Sequence, residues 1–272
     1  MCYSLEVQLA TSLIILASVV FYYIFYSRKY KNSKQKCALP FLNSVMLVFT
    51  FIGLHQFFEF LSLFTNNQLI YKIGLILSIS SCYFLLRSLE ILGNKKIYSK
   101  IALVVVLLVA LQILLVPEMD FKSKSFYLSH NSALLWAAAW LFLFIYWHVC
   151  AFKIYSEQKE NKTRKTLLLY MLAVADFSFI LSAVYVLAGH FVFSVNVCTD
   201  SPSIWCTFYV LQSLLVPFLL SRLPNFFERK NKLTKLSQKQ VLAFILISLF
   251  VLILLALTLP LFNCLSWKLV FG

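Results

Sequence analysis

Long apolar runs alternate with short polar connectors along this chain, and the length of each run is that of a helix that crosses a bilayer. A hydrocarbon core of about 30 Å takes about 20 apolar residues at about 1.5 Å per residue. Runs that meet or approach this length fall at 8–26, 39–65, 69–93, 101–117, 133–155, 167–189, 203–222 and 240–262. The connectors between them are too short to hold a separate domain. The pattern therefore predicts one all-α domain over 1–272, a polytopic membrane bundle of about eight transmembrane helices. The first run lacks a basic segment before it and a small-residue cleavage site, so it reads as a retained span and not a removed signal peptide.

The prolines fit these boundaries. Pro40 opens the second run, where a missing amide hydrogen costs nothing, and Pro117 and Pro260 sit at run ends. Pro217 lies inside "LLVPFLLSRL" and has no N–H to give the carbonyl four residues earlier, at Ser213. A kink in the seventh helix is the expected result. Only five glycines occur, and no small-xxx-small interface of the GxxxG kind is expected from them.

Composition removes the soluble classes. Apolar residues make up 61% of the 272 and charged residues 12%, against about 45–50% and about 25% in soluble domains. The net charge of +14 would elsewhere indicate nucleic acid, but here the basic residues cluster in alternate connectors. "SRKYKNSKQK", "NKKIYSK", "SEQKENKTRKT" and "ERKNKLTKLSQKQ" form one set; the other set holds only Lys122 and Lys124 as basic residues. The positive-inside rule puts the basic set in the cytoplasm and both termini outside, in a cell membrane. The expected partners are the bilayer itself, anionic lipid headgroups at the basic loops and a small-molecule or lipid ligand, with no nucleic acid.

Ionisable residues within the runs are the candidates for chemistry, because each costs upward of about 2.5 kcal/mol at the bilayer centre and must face the bundle interior. His55 and Glu59 share one helix face. Glu59 lies seven residues before the Asn66–Asn67 turn and Lys72 five after it, so an ion pair between them is compatible with their depths. His148 lies 13 residues before Asn161, in the turn between the fifth and sixth runs, and Asp176 15 after it, a depth mismatch of about 3 Å, so they form a second candidate, a buried His–carboxylate pair suited to a proton relay or to fixing helix register. Arg87 and Glu90 read as a local ion pair with Arg87 snorkelling. The sequence contains no HExxH motif; a metal at His55 and Glu59 would draw a further ligand from His130, Glu118, Asp120 or His190.

The topology places Cys2, Cys198, Cys206 and Cys264 at the outer face. A disulfide between Cys2 and Cys206 is one reading. The other is a free N-terminal Cys2 acting as a nucleophile, with His55 and Glu59 as its partners.

The stretches "MCYSLE", "LHQFFEFL", "SHNSALLWAAAWL" and "SIWCTFYVLQSLL" together resemble a family of uncharacterised bacterial multi-pass membrane proteins. Members open Met-Cys-aromatic-Ser and carry a His-Gln-x-x-Glu stretch, a His before Ala-Leu-Trp and a late Trp-Cys. The resemblance points to Cys2, Ser4, His55, Gln56, Glu59, His130, Trp205 and Cys206, and implies an outer cluster with no established activity attached.

Three functions follow from these residues. The first is a transporter-like protein handling a small molecule or lipid, with an outward polar cavity at His55, Glu59, His130 and Trp205. The second is a membrane enzyme using Cys2 or a metal at His55 and Glu59, and the third an accessory subunit whose polar residues only fix packing. The first needs no cofactor and no metal. Differential alkylation of Cys2 and Cys206 in intact membranes, before and after reduction, separates the readings: a staple gives thiols that label only after reduction, and a nucleophile gives a Cys2 that labels at once.

Overall fold

A computed structural model describes residues 5–30, 39–93, 98–116 and 131–157, together with 168, 169, 171, 209, 210, 212–214 and 216. Within them lie five helices: α1 (Leu5–Tyr30), α2 (Leu39–Thr65), α3 (Gln68–Gly93), α4 (Tyr98–Leu115) and α5 (Asn131–Glu157). No strand occurs among the described residues, and all five helices are long and apolar enough to cross a membrane. The protein is thus an integral membrane protein of the all-helical class. Five of the eight expected spans are seen, extended at their ends by at most a turn; apart from the isolated positions just given, 167–189, 203–222 and 240–262 lie outside the described residues.

α3 is the centre of the bundle. It packs against α2, α4 and α5, while α1 lies on the far side of α2. The lipid-facing sides are largely apolar, with Leu13, Val20 and Phe21 exposed on α1 and Val104, Leu107, Leu108 and Leu111 on α4. At Gly53 a β-carbon would come within 3.0 Å of Ile15 and Leu16, so glycine is what lets α1 lie this close to α2.

Two asparagines make the α2–α3 hairpin. Asn66 takes a left-handed conformation (φ 51°), which Asn tolerates better than most residues, and the Asn67 amide donates to the carbonyl of Ser62 at 3.1 Å. This is the Schellman arrangement that closes a helix C-terminus. The Asn67 side chain then starts the next helix, its Oδ1 accepting from the amides of Leu69 (2.9 Å) and Ile70 (3.4 Å).

The α3–α4 hairpin is held by two charged residues of α3, each at one end of α4. Glu90, 1% exposed, accepts from the Ser99 amide (2.9 Å) and hydroxyl (2.7 Å) at the N-terminus of α4 and from Arg87 at 2.8 Å. The Arg87–Glu90 pair expected from sequence is therefore present, with the arginine side chain 46% exposed. At the other end Lys72 Nζ donates to the carbonyl oxygens of Val116 and Leu114. The expected Glu59–Lys72 ion pair is absent, because the ammonium turns to the free carbonyls of α4 instead. Lys72 and Glu90 are about 27 Å apart along α3, the length of α4, and each carries the charge that opposes the helix dipole at its end.

At the far edge, Ser18 Oγ on α1 donates to the carbonyl of Ser213 at 2.6 Å and Tyr22 Oη to that of Leu214 at 3.0 Å. The carbonyl of Ser213, the one expected from sequence to lack an amide donor, thus accepts from a hydroxyl of the first helix.

Replacing Glu90 by Ala orphans a buried amide and a hydroxyl at the start of α4 and is expected to cost about 1–3 kcal/mol. Thermal unfolding in mild detergent should show a lower Tm for Glu90→Ala than for Arg87→Ala, whose side chain is half in solvent.

Candidate polar site between helices 2, 3 and 5

Polar residues of α2 gather in two turns, His55, Gln56, Glu59 and Ser62, of which the last three are buried and His55 reaches α3 and α5. His55 Nδ1 lies 2.9 Å from the carbonyl oxygen of Gly74 on α3. A carbonyl only accepts, so Nδ1 carries the hydrogen, and a neutral ring then has a bare lone pair at Nε2. The contact depends on glycine. A β-carbon at position 74 would meet Phe58 Cβ at 3.3 Å and the His55 carbonyl at 3.4 Å, so a larger residue would push the α3 backbone away from the ring.

His55 Nε2 faces Glu59 Oε1 at 3.7 Å, one turn further along α2. That distance is beyond hydrogen-bond range. The imidazole is 13% exposed and the carboxylate 4%, so the ring forms the accessible side of the pair. Trp136 of α5 stacks over the imidazole with centroids 6.4 Å apart and planes 26° from parallel. One turn on, Trp140 Nε1 donates to Ser78 Oγ at 3.0 Å and docks α5 against α3.

Several polar atoms here are buried without a hydrogen-bond partner among the described residues: Gln56 Oε1, Glu59 Oε1 and Trp136 Nε1. Of these, Glu59 Oε1 lies beside the oriented imidazole and Trp136 belongs to the ring stacked over it. In apolar surroundings an unpaired polar group costs about 1–3 kcal/mol. Groups left in this state belong either to strained packing or to a site that something else completes. Among the described residues no three His, Cys, Asp or Glu side chains come together.

Of the residues singled out from the sequence, His55 and Glu59 are brought together as expected. His148 turns its Nδ1 to the carbonyl of Phe144 in its own helix at 2.8 Å and packs its ring on Phe144 and Trp147. Its expected partner Asp176 lies outside the described residues, as do Cys2, His130, Trp205 and Cys206. Cys82 and Cys150 are free and buried.

Gly74, Ser78, Trp136 and Trp140 belong to this site and were not anticipated. Gly74 and Ser78 are four apart and both buried on α3, a small-residue face contrary to the expectation that none exists. Their spacing was the available signal; one glycine and one serine suffice where the GxxxG pattern asks for two glycines.

No protein-family model, no curated protein and no solved structure matches the chain.

Gly74→Leu is expected to overpack the α2–α3 contact by about 1–3 kcal/mol and to break the His55–Gly74 hydrogen bond, whereas Gly74→Ala needs a shift of only a few tenths of an ångström. Thermal melts of the two variants in detergent should separate them, with the alanine variant the closer to wild type.

Proposed function

We propose that the protein is a transporter-like membrane protein that recognises a small molecule or lipid headgroup at His55, Gln56, Glu59 and Trp136. The observation that carries this reading is the buried Glu59 oxygen that lacks a hydrogen-bond partner among the described residues and lies beside an imidazole oriented by the Gly74 carbonyl, with further such atoms on Gln56 and on Trp136, whose ring stacks on that imidazole. Packing alone favours satisfied groups, as Glu90 and Lys72 illustrate in the same bundle. A ligand that offers a hydrogen-bond donor to Glu59 and Gln56 and an acceptor to Trp136 would complete them.

The reading includes the eight-span topology with basic loops in the cytoplasm. In that topology His55 and Glu59 occupy the outer half of the membrane, on the side where Cys2, His130, Trp205 and Cys206 enter. The site then opens outward, and His130 and Trp205 would line its mouth.

The test is a thermal-shift panel of amino acids, amines, sugars and lipid headgroups on detergent-purified protein. At least one compound class should raise the Tm of wild type and fail to do so for Glu59→Gln and Trp136→Phe, both checked for wild-type elution and helicity. Shifts that persist in both variants, or no shift from any compound, would rule the reading out.

A further inference from the structure

We propose that His55 Nε2 and Glu59 Oε1 are two ligands of a divalent transition-metal ion of the zinc class. The inference rests on the proposed recognition site, since it names what that site holds first. Three features of the pair lead to it. The first is the second shell. A metal-bound histidine nearly always donates its other ring N–H to a carbonyl or carboxylate, which sets the tautomer and aims the free lone pair. Here the Gly74 carbonyl does so at 2.9 Å, in a geometry that glycine makes possible.

The second is the gap between the two atoms. Ligands about 2.0–2.2 Å from zinc at a tetrahedral angle stand about 3.3–3.6 Å apart. The observed 3.7 Å is within a few tenths of an ångström of that range. It is well outside the 2.7–3.2 Å of a shared N–H···O bond, roughly the range a proton between the two would impose.

The third is charge. Glu59 is 3% exposed, its Oε1 has no hydrogen-bond partner among the described residues, and the nearest lysine along the hairpin, Lys72, gives its ammonium to the end of α4. A buried carboxylate facing a lone pair is stabilised by a positive charge between them, which a metal ion or a proton supplies, and the 3.7 Å gap favours the metal. An imidazole with a carboxylate suits zinc or cobalt(II) better than magnesium or calcium, which prefer oxygen alone. Two protein ligands leave the remaining positions to water or to the bound small molecule, so the metal would be part of the recognition surface.

Cobalt(II) titration of the purified full-length chain tests this. A visible absorption band that saturates at one ion per chain, is displaced by Zn²⁺ and is lost in His55→Ala and Glu59→Ala is expected. A band unchanged in both variants, or no band at all, overturns the proposal. Should the variants fail to fold, the wild type alone decides: Zn²⁺, and not Mg²⁺, should slow carbethoxylation of His55 read by mass spectrometry. A rate indifferent to Zn²⁺ overturns the metal. Running the compound panel on chelator-treated protein separates the two readings. Compound shifts without metal binding remove only the metal, and metal binding without any compound shift removes the small-molecule reading.

Discussion

The ends of a helix carry amide and carbonyl groups that its own turns cannot satisfy, and near hydrocarbon no water does so cheaply. The α3–α4 hairpin answers this with two side chains of one neighbour: Glu90 takes the free amide end of α4 and Lys72 its free carbonyl end. Because the separation of the two charges along α3 equals the length of α4, neither helix can slide by a turn without exposing both ends. The register of α3 against α2 is fixed in the same spirit by Asn66 and Asn67, which close one helix and open the next. The height of Gly74, and with it the orientation of His55, follows from these two constraints.

Two buried carboxylates in one bundle meet opposite fates. Glu90 receives three donors, from an amide, a hydroxyl and a guanidinium, and is spent on architecture. Glu59 is buried almost as deeply, yet faces an imidazole nitrogen across a gap that no hydrogen bond spans. The contrast within one fold, under one set of physical costs, is the strongest reason to treat the α2 carboxylate as a site and the α3 carboxylate as a fastening.

Much of this was legible from apolar run lengths, which place all five described helices to within about a turn, because span length is dictated by the bilayer. The His55–Glu59 and Arg87–Glu90 pairs were legible too, being set by helical period alone. Lys72 was misplaced for a definable reason. Counting residues from a turn gives depth in the membrane and says nothing about direction around the helix axis, and Lys72 has the depth of Glu59 but faces α4. Trp136 was hidden by the same limit: its contact with His55 depends on how α5 is rotated against α2 and α3, and a sequence of three nearly all-apolar helices does not encode that rotation in any simple period. The carbonyl at Ser213 was legible as an acceptor in need, though its donor, Ser18, was not.

That last bond joins residues 195 apart in the chain. During synthesis the first helix enters the membrane long before the segment that carries Ser213, so Ser18 and Tyr22 are in place before the carbonyls that accept from them are made. This contact therefore forms late, and α1 is a surface laid down in advance of the segment that docks on it.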